Sequence, residues 1–180
     1  MDKINPGSVL RYIAAYAAVP MLTGLSPAHA DEPGTLLFKG GLSTYACNVT
    51  GSDERVVNLP PVSSTELLAA GREAGLTPFT LEVECDPGVR KVRAYFENGA
   101  TVDAATGNLK LLPGGASNVQ IRLRNADNSV IFVGHRPAMQ AVDVGRDGMA
   151  TLKYQALYYA TGKAGAGLVN TRVTYAIEMP

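Results

Sequence analysis

Val169-Asn170-Thr171-Arg172-Val173-Thr174-Tyr175-Ala176-Ile177-Glu178-Met179 alternates along its whole length: Val169, Thr171, Val173, Tyr175, Ile177 and Met179 fall on one face, and Asn170, Arg172, Thr174 and Glu178 on the other. A period of two belongs to a half-buried β-strand and not to a helix. A second run of the same kind precedes it, with Leu152, Tyr154, Ala156 and Tyr158 on one side and Thr151, Lys153 and Gln155 on the other. Between the two lies Thr161-Gly162-Lys163-Ala164-Gly165-Ala166-Gly167, too rich in glycine to be a core element. A closing strand of this sort is either covered by its own sheet or leaves an edge that needs cover.

Further candidate strands lie upstream at Thr35–Leu42, Cys47–Val49, Arg55–Leu59, Thr80–Cys85, Lys91–Glu97, Leu109–Leu112, Val119–Arg124 and Val130–Phe132, with Thr151–Tyr159 and Asn170–Met179 completing the series. Turn chemistry separates them: Asp86-Pro87-Gly88, Asn98-Gly99, Thr106-Gly107-Asn108, Pro113-Gly114-Gly115, the polar run from Asn125 to Asn128, and Asp147-Gly148. One stretch differs. Ser63 to Gly71 offers a capping serine, good helix formers and a terminating glycine, which predicts a single helical turn. Many short strands joined by such turns predict an all-β domain, specifically a β-sandwich.

The amino-terminal residues address the compartment. Asp2, Lys3 and Arg11 bracket a charged opening, Tyr12 to Leu25 is nearly uncharged, and the run ends in Ala28-His29-Ala30. This is the layout of a cleavable secretory signal covering residues 1–30, with cleavage after Ala30. Pro20, Gly24 and Pro27 interrupt the apolar run, whereas a bilayer span needs about 20 continuous apolar residues. Beyond the signal, residues 31–180 are one domain's worth of chain, enough to bury roughly 68–70% of the surface exposed when unfolded. Sixteen basic residues balance sixteen acidic ones, which points to no nucleic-acid or membrane-surface partner. In an exported chain the pair Cys47 and Cys85 reads as a disulfide, since the compartment is oxidising. Two thiols with the distant His135 do not make up four zinc ligands, so no metal or other cofactor is expected.

Catalytic constellations are missing from the sequence. There is no Gly-x-Ser-x-Gly elbow, no phosphate-binding glycine loop and no His-Glu-x-x-His helix. His135 stands in Gly134-His135-Arg136-Pro137 and reads as a surface loop residue, while Glu82 and Glu84 alternate with Leu81 and Val83 as the solvated face of a strand. Asn48-Val49-Thr50 matches a glycosylation sequon, a three-residue pattern that arises often by chance. The chain reads as no enzyme.

The stretch Gly34-Thr35-Leu36-Leu37-Phe38-Lys39-Gly40-Gly41-Leu42, followed by Ala46-Cys47-Asn48-Val49, resembles the amino-terminal extension and first strand of chaperone–usher pilus subunits of the type 1 fimbrial kind. Val56 to Leu59, Thr77 to Leu81 leading to Cys85, Val130-Ile131 and Tyr154 to Gly162 resemble further pilin positions, and Gly167 stands where that family has a glycine opening its last strand. Met179 takes a position at which the family commonly has an aromatic residue, and its adaptable thioether side chain suits the same role.

The resemblance implies an immunoglobulin-like β-sandwich lacking its last strand, over residues 43–180, with residues 31–42 as a donor extension. It also implies partners: a periplasmic pilus chaperone that lends a strand, an outer-membrane usher, other pilus subunits in a head-to-tail polymer at the cell surface, and host receptors met by the assembled fibre. In that scheme Gly34, Leu36, Phe38, Gly40 and Leu42 form the inserting face, and Gly167, Val169, Thr171, Val173, Tyr175, Ile177 and Met179 flank the groove that receives it. Main-chain hydrogen bonds would hold such a strand, and its alternate side chains would specify it. The contact is heterologous and does not close, so it makes filaments. The competing expectation is a stand-alone secreted carbohydrate-binding β-sandwich, in which Thr35–Leu42 is the first strand of its own sheet.

Overall fold

A computed structural model of the chain describes residues 46–51 and 54–180. The expected signal and all five residues of the expected inserting face lie outside the described residues.

Among the described residues, nine strands form two antiparallel sheets. In chain order they are β1 (Cys47–Val49), β2 (Glu73–Cys85), β3 (Lys91–Phe96), β4 (Leu109–Lys110), β5 (Val119–Asn125), β6 (Val130–Ile131), β7 (Val142–Asp143), β8 (Met149–Ala160) and β9 (Tyr175–Glu178). One sheet runs β1-β2-β8-β5-β4, with β6 also on β5; the other runs β7-β3-β9. The core lies between them. Leu81, Val83, Ile121, Leu123, Leu152, Tyr154 and Tyr158 from the larger sheet meet Val92, Ala94 and Phe96 from the smaller. Phe96 packs edge-on against Tyr154, with ring centroids 5.0 Å apart, and the Tyr154 hydroxyl accepts from the buried Ala94 N–H across the sheets.

The longest pairing is β2 with β8. It begins earlier than the sequence suggests, at Glu73 and not Thr80, although Gly75 and Pro78 are poor strand residues. Each is accommodated for a visible reason. The register slips between Ala74 and Thr77, a bulge in which Gly75 adopts φ +67°. A Cβ there would stand 2.6 Å from the Tyr158 ring, so both conformation and space require glycine. Cys85 N–H turns toward β8, bonding Gly148, whereas the Glu82 carbonyl turns toward β1, accepting from Thr50. The two-residue period therefore aims the Pro78 nitrogen at the β1 side, where β1 has already ended, and its missing N–H costs no ladder bond.

The expected helical turn is present as a 3₁₀ helix at Ser64–Leu67. The Ser63 side chain accepts from Thr65 N–H, and Glu66 accepts from the Ser63 N–H. Other expectations need correction. Arg55–Leu59 belongs to no sheet, and Val142–Asp143 forms a short strand that the sequence does not announce. Asn170–Met179 shortens to Tyr175–Glu178, for reasons that lie in the groove beside it. Glu84 and His135 are exposed as expected, and Glu82 accepts from the Thr151 hydroxyl on the outer face.

Candidate functional site

Between residues 54–59 on one side and residues 169–177 on the other runs an open groove of about 920 Å³. Its floor is the sandwich core itself: Phe79, Leu81, Phe96, Ile121, Leu123 and Ala156 all line it. On the first wall Val57 and Leu59 turn inward against the core while Val56, 72% exposed, does not. On the second, Val169, Thr171, Val173, Tyr175 and Ile177 all face the groove and are half-buried, whereas Asn170, Arg172 and Thr174 are exposed. The alternation read from the sequence is thus a real pair of faces.

Backbone bonding shows why most of this second wall is not a ladder strand. The carbonyls of Leu168, Asn170 and Thr174 accept from the N–H groups of Ala116, Leu112 and Glu97, and that of Arg172 accepts from the Thr101 hydroxyl. Even-numbered residues therefore bond outward to irregular chain. The N–H and C=O groups of Val169, Thr171 and Val173 project the opposite way, into the groove. Only from Tyr175 to Glu178 does a regular neighbour exist, β3, in the register Phe96 to Arg93. Residues 55–59 are in a similar position: Val57 and Leu59 pack on the core, and no neighbouring strand lies on the groove side among the described residues. Neither wall has a ladder partner on its groove side among the described residues.

Two residues assigned to this wall from the sequence stand outside the groove. Gly167 packs against the chain at Ala116, where a Cβ would lie 2.8 Å from the Ala116 Cα. Met179 lies past the end of β9 and is 42% exposed, a correction to its placement on the inward face. The β9 ladder ends at Glu178, so nothing continues the face.

The lower end of the wall is pinned electrostatically. Glu178 accepts from Arg93 Nε (3.0 Å) and Nη2 (2.8 Å) through one oxygen, and from Arg136 Nε (2.8 Å) through the other. Arg136 also stacks over the Tyr95 ring at 4.1 Å. Burial pushes the Glu178 carboxyl up, but the hydrogen bonds and charges of Arg136 and Arg93 outweigh it and hold the group below its ordinary range.

Cys47 and Cys85 form a disulfide between register partners of β1 and β2, with Cα atoms 4.0 Å apart. Cys47 also lines the groove, so the bridge fastens β1, which precedes the first wall in the chain, to β2. Sequence reasoning did not find that wall's partner role or the floor. Val57 and Leu59 carried an alternation, but nothing in it says which sheet edge they border. No group of acidic, histidine or cysteine side chains suited to a metal ion occurs among the described residues.

A two-sheet antiparallel fold whose last strand borders an open groove among the described residues is that of an immunoglobulin-like sandwich lacking its last strand. The family model for type-1 fimbrial protein, A, matches residues 59–180. The F17 fimbrial protein of Escherichia coli is 44% identical over 162 residues, covering 84% of this chain and 90% of that one. The major fimbrial subunit SMF-1 of Stenotrophomonas maltophilia (strain K279a) is 39% identical over 168 residues, covering 87% and 98%. Among solved structures, the P pilus rod subunit PapA superposes with a TM-score of 0.59 at 18% identity, covering 74% of this chain and 99% of its own. A chaperone–usher pilus subunit from a study of rod uncoiling gives 0.58 at 19%, covering 86% and 100%. The chain belongs to the type-1 fimbrial protein family and is a structural subunit of a fimbria, a fibre of the cell surface. The family is one of fibre components and not of enzymes.

Proposed function

We propose that the groove is filled by residues 31–42 of another copy of this chain, so that subunits join head to tail by donor-strand exchange. The observation that carries this reading is the pair of unladdered walls over an apolar floor, since such a gap is filled by a strand that brings both backbone bonds and side chains. The dimensions agree. The wall from Val169 to Ile177 is nine residues long, about 26 Å at 3.3 Å per step, and the stretch from Gly34 to Leu42 is also nine residues. At about 1.5–3 kcal/mol per buried apolar side chain, Leu36, Phe38 and Leu42 would contribute on the order of 5–9 kcal/mol before ordering costs.

On this reading residues 1–30 direct export and are removed, and residues 43–180 form the sandwich. A periplasmic chaperone covers the groove before assembly, and an outer-membrane usher presides over the exchange. The assembled fibre is the means by which the cell adheres to host surface receptors. The test compares the chain with a form lacking Asp31–Lys39, each produced with a pilus chaperone and then released, by size-exclusion chromatography and electron microscopy. Linear polymers from the full chain alone are expected. Stable monomers from both forms, needing no chaperone, would overturn the proposal.

A further inference from the structure

Asn98 stands in the segment that leaves β3, Glu97-Asn98-Gly99-Ala100, where Asn98, Gly99 and Ala100 are all exposed. Of the asparagines among the described residues it alone precedes a glycine. That order matters chemically. The main-chain nitrogen after an asparagine can attack the side-chain amide carbon and close a succinimide ring, and a side chain on the following residue obstructs the approach. A Cβ at Gly99 would meet nothing within 4 Å, so the space around the attacking nitrogen is open.

Hydrogen bonding separates Asn98 from the other asparagines. Asn108 is buried, its side-chain N–H donating to Gln120 and its oxygen accepting from Arg122. Asn118 donates to the Lys163 carbonyl, and Asn125 to Ser129 and to the Ala138 carbonyl. After Asn128 the attacking N–H, that of Ser129, is already bonded to Asp127. Asn48, Asn58 and Asn170 precede the branched side chains of Val49, Leu59 and Thr171. At Asn98 none of these restraints is present: among the described residues neither its side-chain amide nor the Gly99 N–H makes a hydrogen bond, and the side chain only rests against Gly134. The chain on either side is nevertheless fixed. Glu97 N–H donates to the Thr174 carbonyl at 2.8 Å, and the Thr101 hydroxyl donates to the Arg172 carbonyl at 2.7 Å, so both flanks of Asn98 hold the second wall of the groove.

We infer that Asn98 is a site of spontaneous covalent modification, converting with time from an amide to an acid in the fibre, and that the change reaches the second wall. The Gly99 nitrogen attacks the Asn98 Cγ. A new C–N bond forms, the amide C–N bond breaks, and ammonia leaves with the proton given up by the attacking nitrogen. Water then opens the succinimide at either carbonyl, leaving at position 98 an aspartyl residue with the original main chain, or an isoaspartyl residue whose main chain runs through the former side chain. Both products add a negative charge beside Glu97. The isoaspartyl form also lengthens the main chain by one atom, Cβ, between the two residues that hold Thr174 and Arg172.

The test keeps fibres sheared from cells at body temperature for weeks, in neutral and in mildly alkaline buffer, then dissociates them, digests them with trypsin and reads the peptides by mass spectrometry. The peptide Ala94–Lys110 carries Asn98 together with the buried Asn108, so its fragment masses compare the two within one molecule. Asn98 should convert at least about tenfold faster than Asn108, and faster still in alkali, where more of the attacking nitrogen is deprotonated. G99A should slow the conversion about tenfold or more, because the added methyl group crowds the attack. Aged fibres should lose hydrogen-exchange protection at the Glu97 amide relative to fresh ones. An Asn98 that remains an amide, or converts no faster than Asn108, would overturn the modification site, and an unslowed G99A would overturn the ring-closing route. Full conversion with unchanged protection at Glu97 would overturn the link to the wall.

Discussion

Gly167 adopts no left-handed conformation, so its replacement by alanine tests space alone. A Cβ at this position would stand 2.8 Å from Ala116 Cα and 2.9 Å from Ala116 N, both backbone atoms that cannot swing away as a side chain would. Ordinary contact between heavy atoms begins at about 3.5 Å, so the two segments must part by roughly 0.6 Å or more. The bonds that hold them together flank the glycine: Ala116 N–H to Leu168 O at 2.8 Å and Gly165 N–H to Ser117 O at 3.0 Å. Weakening both costs about 1–3 kcal/mol, at 0.5–1.5 kcal/mol each. The lower entropy of unfolded alanine returns about 0.4–1 kcal/mol, leaving a net loss of about 0.5–2 kcal/mol. Gly99→Ala is the matched control, since a Cβ there meets nothing within 4 Å and gains the same entropic term without the clash. Guanidinium unfolding followed by circular dichroism, at equal concentration and state of assembly, reads the difference. Should G167A prove as stable as G99A, close backbone approach is not why the wall opens on glycine.

Two further expectations concern the ends of the groove. Replacing Cys47 and Cys85 together by serine opens a loop of 38 residues and is expected to cost about 4 kcal/mol on the chain-entropy estimate, a large part of a typical domain's 5–15 kcal/mol. The yield of soluble subunit should fall sharply, and an unchanged yield and unfolding midpoint would contradict it. Glu178 has a carboxyl held below its ordinary range in the fold, so its stabilising contribution is present above the unfolded value of about 4.3 and is lost as pH falls through the lower folded value. Asp103 and Asp127 are lowered too and act in the same acid window, so E178Q should remove part of the acid dependence, seen as a shallower fall of the unfolding midpoint below about pH 5. An acid profile identical to that of the native chain would refute a role for the Arg93–Glu178–Arg136 cluster.

The all-β class and most strands were legible because alternation and turn residues are local signals. The run from Leu152 to Tyr158 shows the same two faces in sequence and in structure. What escaped was non-local. Glu73–Pro78 carries Gly75 and Pro78, which break strand propensity rules, and only their surroundings, the Tyr158 ring and an edge unpaired among the described residues, make them suitable. Arg55–Leu59 has strand chemistry, but a strand is defined by a neighbour, and on the groove side none is supplied by the described residues. Along the second wall, exposure alternates from Val169 to Thr174 as the sequence pattern does, and from Tyr175 to Glu178 all four residues are half-buried. The floor could not be read from the sequence, because Phe79, Phe96 and Ala156 come from three strands whose order no local pattern encodes.

The position of the disulfide decides how tension would travel through the subunit. A pull applied to the chain ahead of Ala46 meets Cys47 at the first residue of β1, a strand of only three residues that could be peeled away bond by bond. The covalent link to Cys85 passes that load directly to the end of β2, whose thirteen residues are laced to β8 along the middle of the larger sheet. Force along the chain is thus carried past a three-residue edge strand into the longest pairing of the fold, and reduction of a single bond would turn a covalent anchor into an edge that unzips.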